Sequence, residues 1–485
     1  MPNSLSRLSV SDNQIVDSRG HPALLRGVCL GGWMNLENFI NGYPGSEHGL
    51  RAVMADILGT HKARFFFDRL LDHFITEADI AFIKRQGATV VRIPLNYRHF
   101  EADSQPYHYL SDGFARLDRV LDWCAQHDLY AILDMHAAPG WQNTDWHSDN
   151  ANRHALLWEH PHFQNRLIQL WSTLAERYGD NPAVAGYDVL NEPVTAAPRG
   201  VFSETGYQPA WPAINQLYRR LVEAIRARDP DHIIFLEGDF FSSHFKGLEE
   251  PFAANLVYSS HNYNPSCFGP GPYPGEIHGE WWDAARQQQA FEENEGTVFT
   301  RKHQAPLWVG EFGAVYNGPA EEIPDRLRAL DDQLAVFNNA NAHWTTWTYK
   351  DAGVMGWVSL DPDCEYLQHL AHVLKAKRLL DTDFWLEWLA PTPAKRQAAG
   401  LARLMVDTIA DPGLLYPEIE TYFRQASLAN FAGGLLQPAY ARCFLDSSEA
   451  EIDRILQSFR LENCCIQQNL TGIIHHHLSS APVRP

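Results

Sequence analysis

The sequence predicts an α/β protein built as a (β/α)8 TIM barrel, with an N-terminal β-hairpin and a helical C-terminal extension. Three observations predict it. Short apolar runs alternate with helix-like segments from about residue 24 to about residue 350. There are eight such β-α units, the number a closed parallel barrel needs. Most of the runs stop at a polar residue, and two stop at a glutamate: Val189-Leu190-Asn191-Glu192-Pro193 and Leu307-Trp308-Val309-Gly310-Glu311-Phe312-Gly313. A doubly wound sheet, the competing arrangement, would normally need far fewer strands ending in polar chemistry.

The elements follow in order. Residues 8–28 begin as a hairpin, Leu8-Ser9-Val10 and Ala23-Leu24-Leu25 flanking a turn near Asp17-Ser18-Arg19-Gly20. The barrel strands are expected at Leu25–Gly31, Thr89–Ile93, Tyr130–Met135, Val184–Leu190, His232–Leu236, Leu256–Ser260, Leu307–Val309 and Trp344–Thr348. Most are β-branched, aromatic or aliphatic throughout, as strands buried on both faces should be. Between them, Phe114, Leu117, Leu121 and Cys124 recur at helical spacing. Thr76-Glu77-Ala78-Asp79 resembles a helix start, with Asp79 in the capping-box position. Two long loops, from Gly32 to about Lys62 and from Ala137 to about Trp158, carry aromatic and polar groups suited to a barrel mouth. They include Trp33, Glu37, Asn38, Phe39 and Tyr43 in the first and Trp141, Asn143, Trp146, His147 and Asp149 in the second. After about residue 380 only helical patterns are expected, at Ala398–Ile409, Tyr416–Ala429 and Glu449–Phe459. The division is therefore a catalytic barrel over 1–380 and a docked helical extension over 381–485.

Composition narrows the function. A formal net charge of -20 over 485 residues makes nucleic acid and anionic membranes poor partners. No run of 18 apolar residues suggests a spanning helix. The polar start Met1-Pro2-Asn3-Ser4-Leu5-Ser6-Arg7 and seven scattered cysteines point to a cytoplasmic protein with reduced thiols. Neither Cys-x-x-Cys nor His-Glu-x-x-His occurs, so neither a metal nor a cofactor is expected. His475-His476-His477 has the chemistry to bind metal, but near a terminus it reads as a solvated tail. The sequence leaves the oligomeric state open.

The chemistry is read at the strand ends. They supply Arg92, His136, Asn191 with Glu192, His261 with Tyr263, Glu311 and Trp347, all facing one opening. Each alone has an ordinary structural explanation; their joint placement points to a site. Two carboxylates suffice for glycoside hydrolysis, one to protonate the leaving oxygen and one to attack or to activate water. Arginine and tyrosine beside one carboxylate would keep it ionised, while desolvation would raise the pKa of the other. A flat indole offers the apolar face on which a sugar ring can lie.

With these positions in this order, residues 8–350 resemble glycoside hydrolase family 5, the cellulase family of retaining enzymes. The resemblance implies that Glu192 is the acid/base and Glu311 the nucleophile. It implies that Asn191 bonds the sugar 2-hydroxyl and that Tyr263 and Arg92 hold the nucleophile. His261 would neighbour the acid/base, His136 would line the -1 subsite and Trp347 would be its platform. Two stretches look like the exo-glucanase branch of that family: Arg26-Gly27-Val28-Cys29-Leu30-Gly31-Gly32-Trp33 followed by Glu37, and His136-Ala137-Ala138-Pro139-Gly140-Trp141-Gln142-Asn143. By that likeness Glu37 grips hydroxyls of a terminal sugar, and Trp33, Asn143 and Trp146 join the substrate-binding set. Cys29 and Trp141 depart from the branch, which has Asn and Ser there. The implied activity is a retaining exo-glycosidase acting on short β-linked oligosaccharides or glycosides, β-glucosidase-like. An endo-β-1,4-glucanase, a β-mannosidase and a furanosidase are the alternatives within the class, and a non-catalytic carbohydrate-binding barrel the alternative outside it.

Overall fold

The computed structural model describes residues 5–197, 206–269, 271–314, 320–383, 392–414, 416 and 418–480. Eight parallel strands close into a barrel. They are β1 Arg26–Cys29, β2 Val90–Asn96, β3 Tyr130–Ala137, β4 Val184–Asp188, β5 Ile233–Glu237, β6 Leu256–His261, β7 Leu307–Glu311 and β8 His343–Thr346. Each neighbour pair is parallel, and β8 returns to β1 through Trp344 opposite Arg26. All eight expected strands are present, because strands buried on both faces leave unmistakable apolar runs.

One end of the barrel is sealed. The hairpin Ser9–Ser11 and Gln14–Val16 lies beneath it. Leu8 and Ile15 join Leu25, Val90, Ile132, Phe235, Val257 and Trp308 in a single apolar plug. The polar layer begins above it, where Arg92, Asp134, Asp188 and Glu237 are fully buried inside the barrel. Buried charge is tolerated only where it is paired, and here it marks the working end.

The helices confirm the periodicity. Ser111–Gln126 buries Phe114, Leu117, Val120, Leu121 and Cys124. Thr76 and Asp79 make the reciprocal capping box at the start of Glu77–Arg85. The first long loop is more ordered than expected: it contains helices Asn38–Asn41 and Glu47–Leu58 and the start of Thr60–Phe74.

The C-terminal stretch needs three corrections. Strands do occur there: Cys464–Ile466 pairs antiparallel with Val358–Leu360, which in turn pairs parallel with Lys350–Asp351. Three residues are too few to show a period of two, and the partner lies about a hundred residues away. The helix expected at Tyr416–Ala429 is Ile419–Arg424, continuing as a π-helix over Gln425–Ala432. The three histidines are not a solvated tail; they lie in helix Gln468–Ser479. His477 is buried, with Nε2 2.7 Å from Asp331 Oδ1, and His475 donates to the Gln86 carbonyl at 3.0 Å. Ile474 and Leu470, one turn apart, supply the apolar face that docks this helix. Helix Gly433–Cys443 packs on Glu47–Leu58, and Glu449–Leu456 packs on Thr60–Phe74.

Among the described residues no helix is long and apolar enough to cross a membrane.

Candidate active site

At the open end, side chains from separate strands converge. Glu311 ends β7 and is 4% exposed. Arg92, from the middle of β2, donates to Glu311 Oε1 at 2.5 Å, and the Tyr263 hydroxyl donates to Oε2 at 2.8 Å. Gly310 leaves room for the neighbouring strand: a Cβ there would sit 2.6 Å from Ser259 Oγ and 3.1 Å from His261 Nε2. Arg92 also donates to Asp188 at 2.9 Å, to Asn191 Oδ1 at 2.7 Å and to Glu237 at 3.1 Å, and lies 3.2 Å from Asp134. Burial alone would lower its pKa; the surrounding carboxylates, Asp134 and Asp188 first, raise it well above the ordinary value.

Glu192 follows β4 on a backbone with φ 47°, in the left-handed region. Its N–H donates to Glu237 Oε2 at 2.7 Å and its carbonyl accepts from Asn143 Nδ2 at 2.9 Å. These two bonds hold the turn that presents the carboxylate. Glu192 Oε1 lies 2.6 Å from His261 Nδ1 and Oε2 lies 3.0 Å from His147 Nε2. Burial would push Glu192 up, but hydrogen bonds from His147 and His261 outweigh it and hold its pKa well below the ordinary range. This corrects the expectation that desolvation would leave one carboxylate with a raised pKa. The affinity for a proton is carried by the histidines: burial opposes their charge, yet Glu237 and Glu311 raise His261 well above its ordinary value and Glu192 raises His147.

An oxygen of Glu192, a ring nitrogen of His261 and an oxygen of Glu311 all lie within 4.8 Å of one another. Two carboxylates and an imidazole could also hold a cation. Here each carboxylate already faces a cationic or hydrogen-bonding partner from Arg92, Tyr263, His147 or His261.

Both glutamates line a cavity whose other walls are Glu37, Phe39, His136, Trp146, His147, Tyr263 and Trp347. His136 and Trp347 stack with ring centroids 5.2 Å apart and planes 6° from parallel. His136 is anchored through Nδ1 to Asp134 Oδ2 at 2.8 Å; burial disfavours its charge, but Asp134 prevails and lifts its pKa to about 10. Gly31 allows the Trp347 ring its place, since a Cβ there would meet that ring at 2.8 Å. Glu37 is 3% exposed, and its Oε1 faces His136 Nε2 at 3.5 Å. Burial raises its pKa, against the pull of His136.

Residues 59–353 match the model of the cellulase family, glycosyl hydrolase family 5. The chain belongs to glycosyl hydrolase family 5. It is a glycosidase by that membership, and its barrel is the family's fold. A beta-xylosidase of Phanerodontia chrysosporium is 37% identical to this family 5 chain, over 98% of it and 99% of the relative. Endoglucanase C of Acetivibrio thermocellus is 26% identical over 58% of the chain and 85% of the relative. A protein of Emericella nidulans named "Probable glucan 1,3-beta-glucosidase A" is 27% identical over 69% and 87%. Among solved structures, an endogalactoceramidase shares the fold with a TM-score of 0.51, at 20% identity over 72% of this chain and 75% of that one.

The structure brings together most of the family 5 residues expected from sequence. Glu37, His136, Trp146, Glu192, Tyr263, Glu311 and Trp347 line the cavity; Arg92, His261 and Asn143 stand behind it in contact with those that do, and Asn191 is held by Arg92. Trp33 does not belong to it. Its ring is fully buried and its indole N–H donates to the Leu71 carbonyl at 3.0 Å, so it packs the first loop against helix Thr60–Phe74. The site also contains residues outside the expected set: His147 lines the cavity, and Asp134, Asp188 and Glu237 surround Arg92. Glu237 had a readable signal, a carboxylate one residue past the expected end of the fifth strand. His147 lies in the second long loop, whose polar and aromatic groups suit a barrel mouth, but no periodicity distinguishes it from its neighbours there.

Proposed function

We propose that this enzyme is a retaining exo-glycosidase that removes one sugar at a time from the non-reducing end of short β-linked oligosaccharides or glycosides, with a terminal β-xyloside as the first candidate substrate. The observation that carries the reading is the close approach of the two glutamate carboxylates. Separations of about 5–5.5 Å serve direct attack, whereas about 6.5–9.5 Å leaves room for a water between acid and base. Oxygens of Glu192 and Glu311 within 4.8 Å fit the first case.

In this mechanism Glu311, held by Arg92 and Tyr263, attacks the anomeric carbon and forms a glycosyl-enzyme. Glu192 protonates the departing oxygen. It draws its proton from a group shared with His147 and His261, and then takes one from the water that releases the sugar. Trp347 carries the ring, and Asn191, fixed by Arg92, faces the 2-hydroxyl. The relative named as a beta-xylosidase spans both Glu37 and the catalytic pair, which supports the choice of a xyloside. All seven cysteines are free thiols, which supports a cytoplasmic setting. A screen of aryl glycosides tests the sugar: fastest turnover of an aryl β-xyloside is expected, and preference for a β-mannoside or a furanoside would overturn that choice.

Exo action rests on Glu37. Glu37 lines the cavity, and its carboxylate, 3.5 Å from His136 Nε2, has no closer partner among the described residues, so sugar hydroxyls can bond it. Such bonds are worth about 1.5–3 kcal/mol. Glu37→Ala is therefore expected to lower kcat/KM by about 10- to 150-fold. With a reducing-end-labelled oligosaccharide the native enzyme should release only single sugars. Early di- or trisaccharides would show endo action instead.

The histidines give a pH test. His147→Phe removes one of two partners that hold Glu192 low, and burial then drives its pKa upward. The acid proton is shared by Glu192, His147 and His261, so removing His147 should shift the alkaline limb of kcat/KM, which reports the loss of that proton. A limb that stays at its native position contradicts this role for His147.

A further inference from the structure

The backbone around Glu37 is held from behind by side chains from the far end of the chain. Lys377, on helix Ala371–Leu380, is 3% exposed and donates from Nζ to the carbonyl of Asn38 at 2.9 Å. Its charge faces Asp383 at 3.0 Å. The Tyr366 hydroxyl donates to the Asn41 carbonyl at 2.7 Å and meets the Tyr440 hydroxyl at 2.8 Å. Gln437 donates to the carbonyls of Pro44 and Ser46 at 3.1 and 2.9 Å. None of these side chains lines the catalytic cavity.

A buried ammonium is a costly way to anchor a loop that apolar packing could hold. What it supplies is a charge-assisted hydrogen bond, about twice as strong as a neutral one, directed at one particular carbonyl. Asn38 directly follows Glu37, so the Lys377 bond acts one peptide away from the carboxylate that borders the cavity. Glu37 and Lys377 also share a distribution along the chain. Both lie outside residues 59–353, which match the family model, and both lie within the span of the full-length beta-xylosidase relative.

We propose that Lys377 is a positioning residue for sugar selection: by fixing the Asn38 carbonyl it sets where the Glu37 carboxylate meets the terminal sugar. This rests on the reading of Glu37 as a sugar-binding group. The test is a double-mutant cycle of Lys377→Met and Glu37→Gln, with kcat and KM measured separately on the aryl glycoside turned over fastest, and Tm measured alongside. Lys377→Met should lower kcat/KM about 10-fold when Glu37 is present and less than about 2-fold in the Glu37→Gln background. Lys377→Arg should recover part of the loss. If Lys377→Met does not fold, Tyr366→Phe, which removes one hydroxyl from the same brace, replaces it in the cycle with the same expectation. Equal losses in both backgrounds, with Glu37→Gln itself impaired, would overturn the positioning role alone. A Glu37→Gln enzyme with unchanged kcat/KM would overturn the sugar-binding reading of Glu37, and the proposal with it.

Discussion

Glu311→Ala should lower kcat by on the order of 10⁵-fold on every substrate, about 7 kcal/mol of transition-state stabilisation. Asp134, Asp188 and Glu237 are fully buried around Arg92 and do not line the cavity, and Glu192 is engaged by His147 and His261. Glu37, the remaining carboxylate that lines the cavity, faces His136 at 3.5 Å. The substitution also leaves the Arg92 guanidinium without the partner it holds at 2.5 Å, so the loss should not be recovered by a better leaving group. Steady-state rates on an activated aryl glycoside and on an oligosaccharide check this. A loss confined to the oligosaccharide would remove Glu311 from the covalent step.

Glu192→Ala should behave differently. Acid catalysis contributes about 10²- to 10⁴-fold, and it is needed in proportion to the basicity of the leaving group. An alkyl glycoside or oligosaccharide should suffer the full loss, and a dinitrophenyl glycoside should form its glycosyl-enzyme almost normally. Turnover of that intermediate then stalls for want of a base. Azide, which needs no base, should restore it and yield a glycosyl azide of retained configuration. Equal losses on good and poor leaving groups, with no effect of azide, would contradict the assignment of Glu192.

These two expectations were open to a reader of the sequence because the barrel places chemistry at the ends of runs that are easy to see. Glu192 and Glu311 each close an apolar stretch, and Arg92, His136, His261 and Trp347 stand at neighbouring ends. The electrostatics were less accessible. Which way Glu192 is shifted depends on His147, which arrives from a loop about 45 residues earlier and has no sequence pattern to announce it. Asp134 and Asp188 interrupt apolar strands and carry no sign that they converge on one arginine. Trp33 followed a strand as a site residue would, but Leu71 and its helix cover it. The C-terminal pairing of Cys464–Ile466 with Val358–Leu360 is a long-range contact between very short segments, and only the folded chain reveals it.

Stereochemistry separates double from single displacement. Proton NMR recorded during the first minutes of hydrolysis of an aryl β-glycoside, before mutarotation, identifies the anomer released first. Double displacement through Glu311 predicts the β-anomer of a single sugar as the initial product. An initial α-anomer would mean single displacement by water, and would contradict the roles given to both glutamates.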